Sequence, residues 1–280
     1  MSASDHPAAI RLRQLSIRLG LGSAAFEAVQ NVSLDIEPGQ FVCLLGPSGC
    51  GKSTLLGALA GHLTPASGQA LLDGERVAGP HPERGLVFQH HTLFPWKTVA
   101  QNVAFGLKMK GVDAATRQRQ AEEFIDLVGL TGFARHYPGQ LSGGMQQRVE
   151  IARVLINHPR VLLMDEPFGA LDALTRLKMQ ELLLEIRERI RTTVLFVTHD
   201  IDEALLLADR VLIMSPRPGR IIEDLPVDLP RPRFAAAGSA RFASLKQHCL
   251  ALLRYDEPAT SLPRLTPLGA PPAHQLQFAI

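Results

Sequence analysis

Gly46-Pro47-Ser48-Gly49-Cys50-Gly51-Lys52-Ser53 follows the apolar run Phe41-Val42-Cys43-Leu44-Leu45 and precedes Leu55, Leu56, Leu59 and Leu63 at helical spacing. An unbroken apolar run of this length reads as a strand buried on both faces. The leucines mark one face of a helix. Strand, glycine loop and helix, in that order, are the setting that a phosphate-binding loop requires. Glycines at 46, 49 and 51 let the backbone turn tightly and aim successive N–H groups at phosphate oxygens. The helix that follows brings its positive end to the same place. Lys52 is placed to reach β- and γ-phosphates, and Ser53 to ligate Mg²⁺. At average residue frequencies the pattern arises by chance in roughly one chain of this length in a hundred. Alone, it implies binding of a nucleoside triphosphate.

Further along, the apolar run Val161-Leu162-Leu163-Met164 ends in Asp165-Glu166. A carboxylate at the end of a strand in a parallel α/β sheet can hold Mg²⁺, which suits Asp165. Glu166 need not touch the metal and is the better candidate to polarise an attacking water. Without a phosphate loop the same pair would read as a strand end meeting solvent. A second apolar run, 193–197, leads into Thr198-His199-Asp200. Helices are expected at about 173–190 and 201–208, and a strand at 210–214. Strands alternating with helices argue for an α/β core with a mostly parallel sheet.

The first 40 residues read as β-structure. Ile10, Leu12, Leu15 and Ile17 roughly alternate, and Val32, Leu34 and Ile36 alternate cleanly. Asp73-Gly74 signals a hairpin, and 85–88 a short strand. From about Val99 to Ile156 the pattern is helical, with Asp113 as a cap and Gly129 as a stop. This stretch is an insertion in the α/β core. After Pro226 the chain turns extended. One amphipathic helix is expected over 240–254, with Phe242, Leu245, Cys249 and Leu252 on a stripe. Residues 255–280, rich in Pro and Ala, are expected to be poorly ordered.

Composition narrows the function classes. The 280 residues carry a net charge of +2 and few aromatics, so neither a pull towards nucleic acid nor a base-stacking platform is evident. Three unpaired cysteines argue against a disulfide or zinc framework and fit a reducing compartment. Cys50, inside the phosphate loop, reads as a small residue suited to a tight turn. The N-terminus lacks the apolar run of a signal peptide. Residues 53–72 are uncharged, but Gly57, Gly61, His62, Pro65 and Gly68 interrupt them, so they do not read as a membrane span.

Leu141-Ser142-Gly143-Gly144-Met145-Gln146-Gln147-Arg148 is more specific. A serine and two glycines opening a helix offer N–H donors and a positive dipole end to phosphate. The string precedes Asp165 by 23 residues (165 minus 142). With this segment, the chain from about residue 10 to 235 resembles the ATP-binding cassette (ABC) ATPases. The resemblance implies a P-loop NTPase of the ABC ATPase fold, with an N-terminal antiparallel β-subdomain. An α-helical subdomain, about 95–157, would be inserted in a domain spanning 8–232, with a C-terminal tail over 233–280. It implies that Gly46, Pro47, Ser48, Gly49, Cys50, Gly51, Lys52, Ser53 and Thr54 cradle ATP. Ser142, Gly143, Gly144 and Gln146 would meet the nucleotide held by a second copy, in a head-to-tail dimer that sandwiches two ATP molecules. Gln89 resembles the glutamine that meets Mg²⁺ or its water, so Ser53, Gln89 and Asp165 form the implied metal set. Gly169-Ala170-Leu171-Asp172 resembles the loop that crosses the dimer, and His199 the switch histidine. Glu166, His199 and Lys52 are the implied catalytic residues. The family stacks an aromatic on adenine upstream of the phosphate loop. Here Phe26 is the nearby candidate, and packing against the core is the alternative for its ring.

Finer resemblance points to import. Thr92-Leu93-Phe94-Pro95-Trp96, Asn102–Leu107, Asp165–Asp172 and Ser215-Pro216-Arg217-Pro218-Gly219-Arg220 are similar to the ATPases of nitrate, sulfonate and taurine importers. That group implies a peripheral subunit on the cytoplasmic face of the inner membrane. Its partners would be a second copy, an integral membrane permease and, indirectly, an extracytoplasmic solute-binding protein, and nucleic acid would not be one. Phe94 and Trp96 are candidates to line the groove for a permease helix, or else belong to the core. The alternatives are a soluble non-transport ABC ATPase and an importer subunit for another solute, such as a pyrimidine precursor. A DNA-repair ATPase would need a long coiled coil between Lys52 and Ser142, and no sustained heptads lie there.

Overall fold

The computed structural model describes residues 6–90 and 92–255. Strand β1 (Ile10–Leu19) pairs antiparallel with β2 (Phe26–Ile36), and β3 (Phe41–Leu45) leads into helix α1 (Lys52–Ala60). After these come β4 (Ser67–Leu72), β5 (Glu75–Arg76) and β6 (Arg84–Val87). A helical block follows, made of α2 (Val99–Val103), α3 (Phe105–Met109), α4 (Ala114–Leu127) and α5 (Gly143–Leu155). Then the chain alternates: β7 (Val161–Asp165), α6 (Ala173–Arg189), β8 (Thr193–Thr198), α7 (Ile201–Leu207) and β9 (Arg210–Met214). Strand β10 (Ile221–Pro226), the short α8 (Arg233–Ala236) and α9 (Ala240–Tyr255) complete it.

Two sheets result. One is four-stranded and antiparallel, in the order β2-β1-β4-β5. The other has the order β10-β9-β3-β8-β7-β6, and only the edge strand β10 runs antiparallel in it. The inner strands β9, β3, β8 and β7 are buried on both faces, which explains their unbroken apolar runs. Successive residues of a strand point to opposite faces. Phe41, Cys43 and Leu45 therefore join a core shared with the helical block, α6 and α7. Val42 and Leu44 join a second core, filled by α1 and the four-stranded sheet.

Polar side chains start the helices where the sequence changes from apolar runs to loops. Thr98, Asp113, Ser142, Asp172 and Asp200 each accept a backbone N–H of the first turn of α2, α4, α5, α6 and α7. The stripe on α9 is buried through Phe242, Leu245 and Cys249, which pack into the first core with α7 and β9 as neighbours. Burial pushes the Cys249 thiol up to about 11. The expectation for residues 256–280 lies outside the described residues. Strand β10 was not expected from the sequence. It covers the edge of β9 with only one half-buried face, so its hydrophobic signal is weak.

One carboxylate ties the C-terminal segment to the sheet. Asp209 accepts the Phe41 N–H at 3.0 Å and an Arg231 N–H at 2.7 Å, pairs with Arg187, and lies 3.6 Å from Arg233. Burial alone would push its carboxyl up, but the Phe41 amide and Arg187 outweigh it and hold the carboxyl below its ordinary 3.8. Arg233 itself is buried and donates to the carbonyls of Ala208 and Val227. Asp209→Asn is expected to cost about 2–4 kcal/mol, because charge-assisted bonds are lost beside a buried guanidinium. A depressed folded-state pKa adds stability that is present above the unfolded value and fades as pH falls through the folded one. Urea midpoints should therefore separate wild type from variant at pH 7 and converge below pH 3.8.

Candidate active site

The loop between β3 and α1 winds around the N-terminus of α1 with Gly51 at φ +105°. A Cβ there would sit 2.8 Å from the Ala28 carbonyl oxygen, so a side chain is excluded by both conformation and space. The loop opens a cavity of about 320 Å³. Ser48, Gly49, Gly51, Lys52, Ser53 and Thr54 form its floor, and Gln89 and Glu166 part of its wall. Lys52 is buried, and its Nζ donates to the carbonyls of Gly46 and Pro47, each at 2.9 Å. Two carbonyls thus fix the ammonium inside the loop, 4.0 Å from Glu166 Oε1. Cys50 is buried beneath the loop, with its thiol pushed up by burial despite the nearby Lys52 charge.

The carboxylates arrive from β7. Ser53 Oγ donates to Asp165 Oδ1 at 3.0 Å. Burial is the main cause that raises the Asp165 carboxyl, and the Ser53 hydroxyl opposes it. Just past the strand, Glu166 takes φ +43°, a left-handed conformation that costs a non-glycine residue about 1–3 kcal/mol. Its N–H is held by the Val197 carbonyl at 3.0 Å, so neighbouring β8 over-determines the turn. This reversal separates two adjacent carboxylates: Asp165 faces Ser53, and Glu166 faces Lys52 and His199. His199 Nδ1 lies 3.0 Å from Glu166 Oε2 and follows directly after β8. Beneath it, the Thr198 hydroxyl donates to buried Glu203, which also accepts from Gln180. Burial raises the Glu203 carboxyl.

The fold thus brings Lys52, Ser53, Gln89, Asp165, Glu166 and His199 together. It does not place Ser142, Gly143, Gly144, Gln146 or Asp172 on this cavity. Ser142 Oγ caps α5 by accepting the Met145 N–H, and the exposed Ser142 and Gly143 face away from the chain's own core. Gln146 donates back to the carbonyls of Pro138 and Leu141. Asp172 caps α6 through the Thr175 N–H. Phe26 does line the cavity and is partly exposed, so its ring is not a core residue. Leu19, Ala28 and Arg217 line it too, and none of the three was expected there.

The donor set suits a nucleoside triphosphate with Mg²⁺. Loop N–H groups, a buried ammonium and the start of α1 match a polyphosphate. The Ser53 hydroxyl and Asp165 carboxylate, 3.0 Å apart, are hard oxygen ligands of the kind Mg²⁺ takes beside substrate phosphates.

The family described as ABC transporter matches residues 29–169. The nitrate import ATP-binding protein NrtD of Synechocystis is 53% identical over 203 residues, 72% of this chain and 76% of that protein. The taurine import ATP-binding protein TauB of Rhizobium johnstonii is 52% identical over 237 residues, 82% of this chain and 90% of that protein. Among solved structures, the dimeric post-hydrolysis state of the ATP-binding cassette MJ0796, bound to ADP and Pi, superposes with a TM-score of 0.69. It is 34% identical, covering 78% of this chain and 98% of that one.

Proposed function

Because the chain belongs to the ABC transporter family and is an ATPase of it, we propose that it couples MgATP hydrolysis at a head-to-tail dimer interface to import of a small anion or sulfonate-like solute. Nitrate, taurine and aliphatic sulfonates are the solutes that the relatives' names suggest. The observation that carries this reading is that Lys52, Ser53 and Glu166 line one cavity at the phosphate loop, with Asp165 bonded to Ser53 and His199 to Glu166.

In this reading Ser53, Asp165 and Gln89 would hold Mg²⁺, which would neutralise charge on the phosphates. Lys52 and the loop amides stabilise the charge that develops on the γ-phosphate. Glu166, held in its left-handed turn, orients the attacking water and accepts its proton at the carboxylate. His199, hydrogen-bonded to Glu166, keeps that carboxylate aimed and touches the γ-phosphate. Ser142 and Gly143 of a second copy complete the site from the opposite side, in keeping with their exposure here. ATP favours closure because only the closed pair contacts it from both sides, and hydrolysis removes that difference.

No helix among the described residues is long and apolar enough to cross a membrane. A membrane role would run through a permease, from the cytoplasmic face of the inner membrane. Trp96 is 70% exposed and leans on Phe94, whose ring packs 4.7 Å from Phe105. Beside them lies a cavity of about 480 Å³ that also includes Ala100, Ala104 and Ala121. Lys97, Lys108, Arg117 and Glu122 line the same cavity, so an exposed aromatic and small apolar side chains ringed by charge fit a short amphipathic helix of a partner. The test is purification of the tagged chain from native membranes in mild detergent. Import predicts a multi-span permease in two-to-two stoichiometry, with a solute-binding protein in the same system. A chain recovered only from the soluble fraction, alone or with nucleic acid, would refute it. Trp96→Ala should lose most of the co-purifying permease while binding ATP as wild type does.

A further inference from the structure

Arg217 has no role in the mechanism above, yet it lies on the nucleotide cavity. Its Cζ sits 4.5 Å from the centroid of the Phe26 ring, and its Nη2 donates to the Gly49 carbonyl at 3.3 Å. The side chain is thus held from two directions, by a ring on β2 and by the phosphate loop. The backbone that carries it is fixed as well. Gly219 N–H donates to Ala28 O at 2.9 Å, and Gly219 O accepts from Gln30 N–H at 2.9 Å. A Cβ on Gly219 would come within 2.0 Å of the Cys50 carbonyl oxygen, so this turn lies directly against the phosphate loop. Ser215 closes the turn, with its N–H on Arg220 O and its Oγ accepting the Arg220 N–H.

Strand order tells which end of the nucleotide Arg217 faces. In the sequence β10-β9-β3-β8-β7-β6, the loop after β9 lies on one side of the phosphate loop after β3. Asp165 and Glu166, at the end of β7, lie on the other. The γ-phosphate belongs on the side of Glu166 and Lys52, so the far end, with base and ribose, belongs on the side of Arg217, Phe26 and Leu19. A gap of 4.5 Å leaves no room for a base between guanidinium and ring. One face of the guanidinium lies on Phe26. Arg217 is itself exposed and lines the cavity.

We infer that Arg217 is the base-stacking residue: its guanidinium plane carries the base of ATP, and Phe26 backs the guanidinium rather than the base. A guanidinium stacks on π-faces through its plane and its charge. Held in place beforehand, it loses little entropy on binding. This inference rests on the reading of the cavity as the ATP site.

The test measures affinities of ATP and inorganic tripolyphosphate for the full chain and for Arg217→Ala, Arg217→Lys and Phe26→Ala. Tripolyphosphate carries the phosphates and no base. Wild type should bind ATP more tightly than tripolyphosphate. Arg217→Ala should weaken ATP about tenfold or more and change tripolyphosphate less than about threefold. Arg217→Lys keeps the charge without the plane and should also lose most of the ATP advantage. Phe26→Ala should cost less than Arg217→Ala. Unchanged ATP affinity in Arg217→Ala would overturn the inference. Equal losses for both ligands would also overturn it, because Arg217 would then serve the phosphate loop through Gly49. Full ATP affinity in Arg217→Lys would assign the effect to charge, and a larger loss in Phe26→Ala would return the base to the ring. A wild type that binds neither ligand would remove the ATP-site reading itself, and this inference with it.

Discussion

Glu166→Gln is expected to bind ATP as tightly as wild type and to turn over about a hundred- to ten-thousandfold more slowly. The amide keeps the shape of the side chain and its contact with His199, 3.0 Å away in the parent. It loses the basicity that accepts a proton from water. Lys52, Ser53 and the loop amides are untouched, so the contacts that hold the triphosphate remain. Single-turnover hydrolysis with radiolabelled ATP measures the chemical step alone, and equilibrium binding measures the rest. Wild-type turnover in the variant would take the water-activating role away from Glu166. A parallel loss of ATP affinity would instead make Glu166 part of the phosphate cradle.

The second large effect concerns Lys52 and Ser142, which one chain does not bring together. Lys52 is buried in the phosphate loop, whereas Ser142 caps α5 outside the lining of that cavity. In the proposed head-to-tail pair, each site takes Lys52 from one copy and Ser142 from the other. Lys52→Ala and Ser142→Arg, each alone, should therefore lose ATPase activity by about a hundredfold or more. Mixing the two inactive variants makes hybrid pairs in which one of the two sites is whole. If the sites act independently, about a quarter of wild-type activity should return, since half of the pairs are hybrids and half of their sites are complete. A chain carrying both substitutions, mixed with wild type, forms hybrids with no whole site and should lower activity. Recovery absent in the first mixture, with hybrids shown to form, would argue that Ser142 acts within its own chain or not at all.

Much of the site was legible because its residues sit at sequence-local junctions. Phe41–Leu45 reads as a doubly buried strand, and the glycine loop and leucine-spaced helix follow at once. The same holds for Asp165-Glu166 at the end of β7 and His199 at the end of β8. The apolar runs place these strand ends at one edge of a parallel sheet, where loops gather around ligands. Other features depend on tertiary contact. Arg217 is one arginine in a proline-rich turn, and only the approach of Gly219 to the phosphate loop carries it to the cavity. Phe26, expected as a candidate for the adenine contact, lines the cavity, and its pairing with Arg217 has no counterpart in spacing. Strand β10 is not legible because an edge strand with Glu223 and Asp224 in its middle lacks the apolar run of its neighbours. The left-handed turn at Glu166, which points two adjacent carboxylates at different partners, is set by the Val197 carbonyl across the sheet.

The closure of two copies around ATP is the claim on which the transport reading depends. The most direct measurement is the solution mass of purified Glu166→Gln by light scattering, with MgATP and with MgADP. A mass near 30.5 kDa is expected with ADP and double that with ATP, since only the γ-phosphate bridges both copies. A single-chain mass at saturating ATP, with nucleotide binding verified in the same sample, would contradict it.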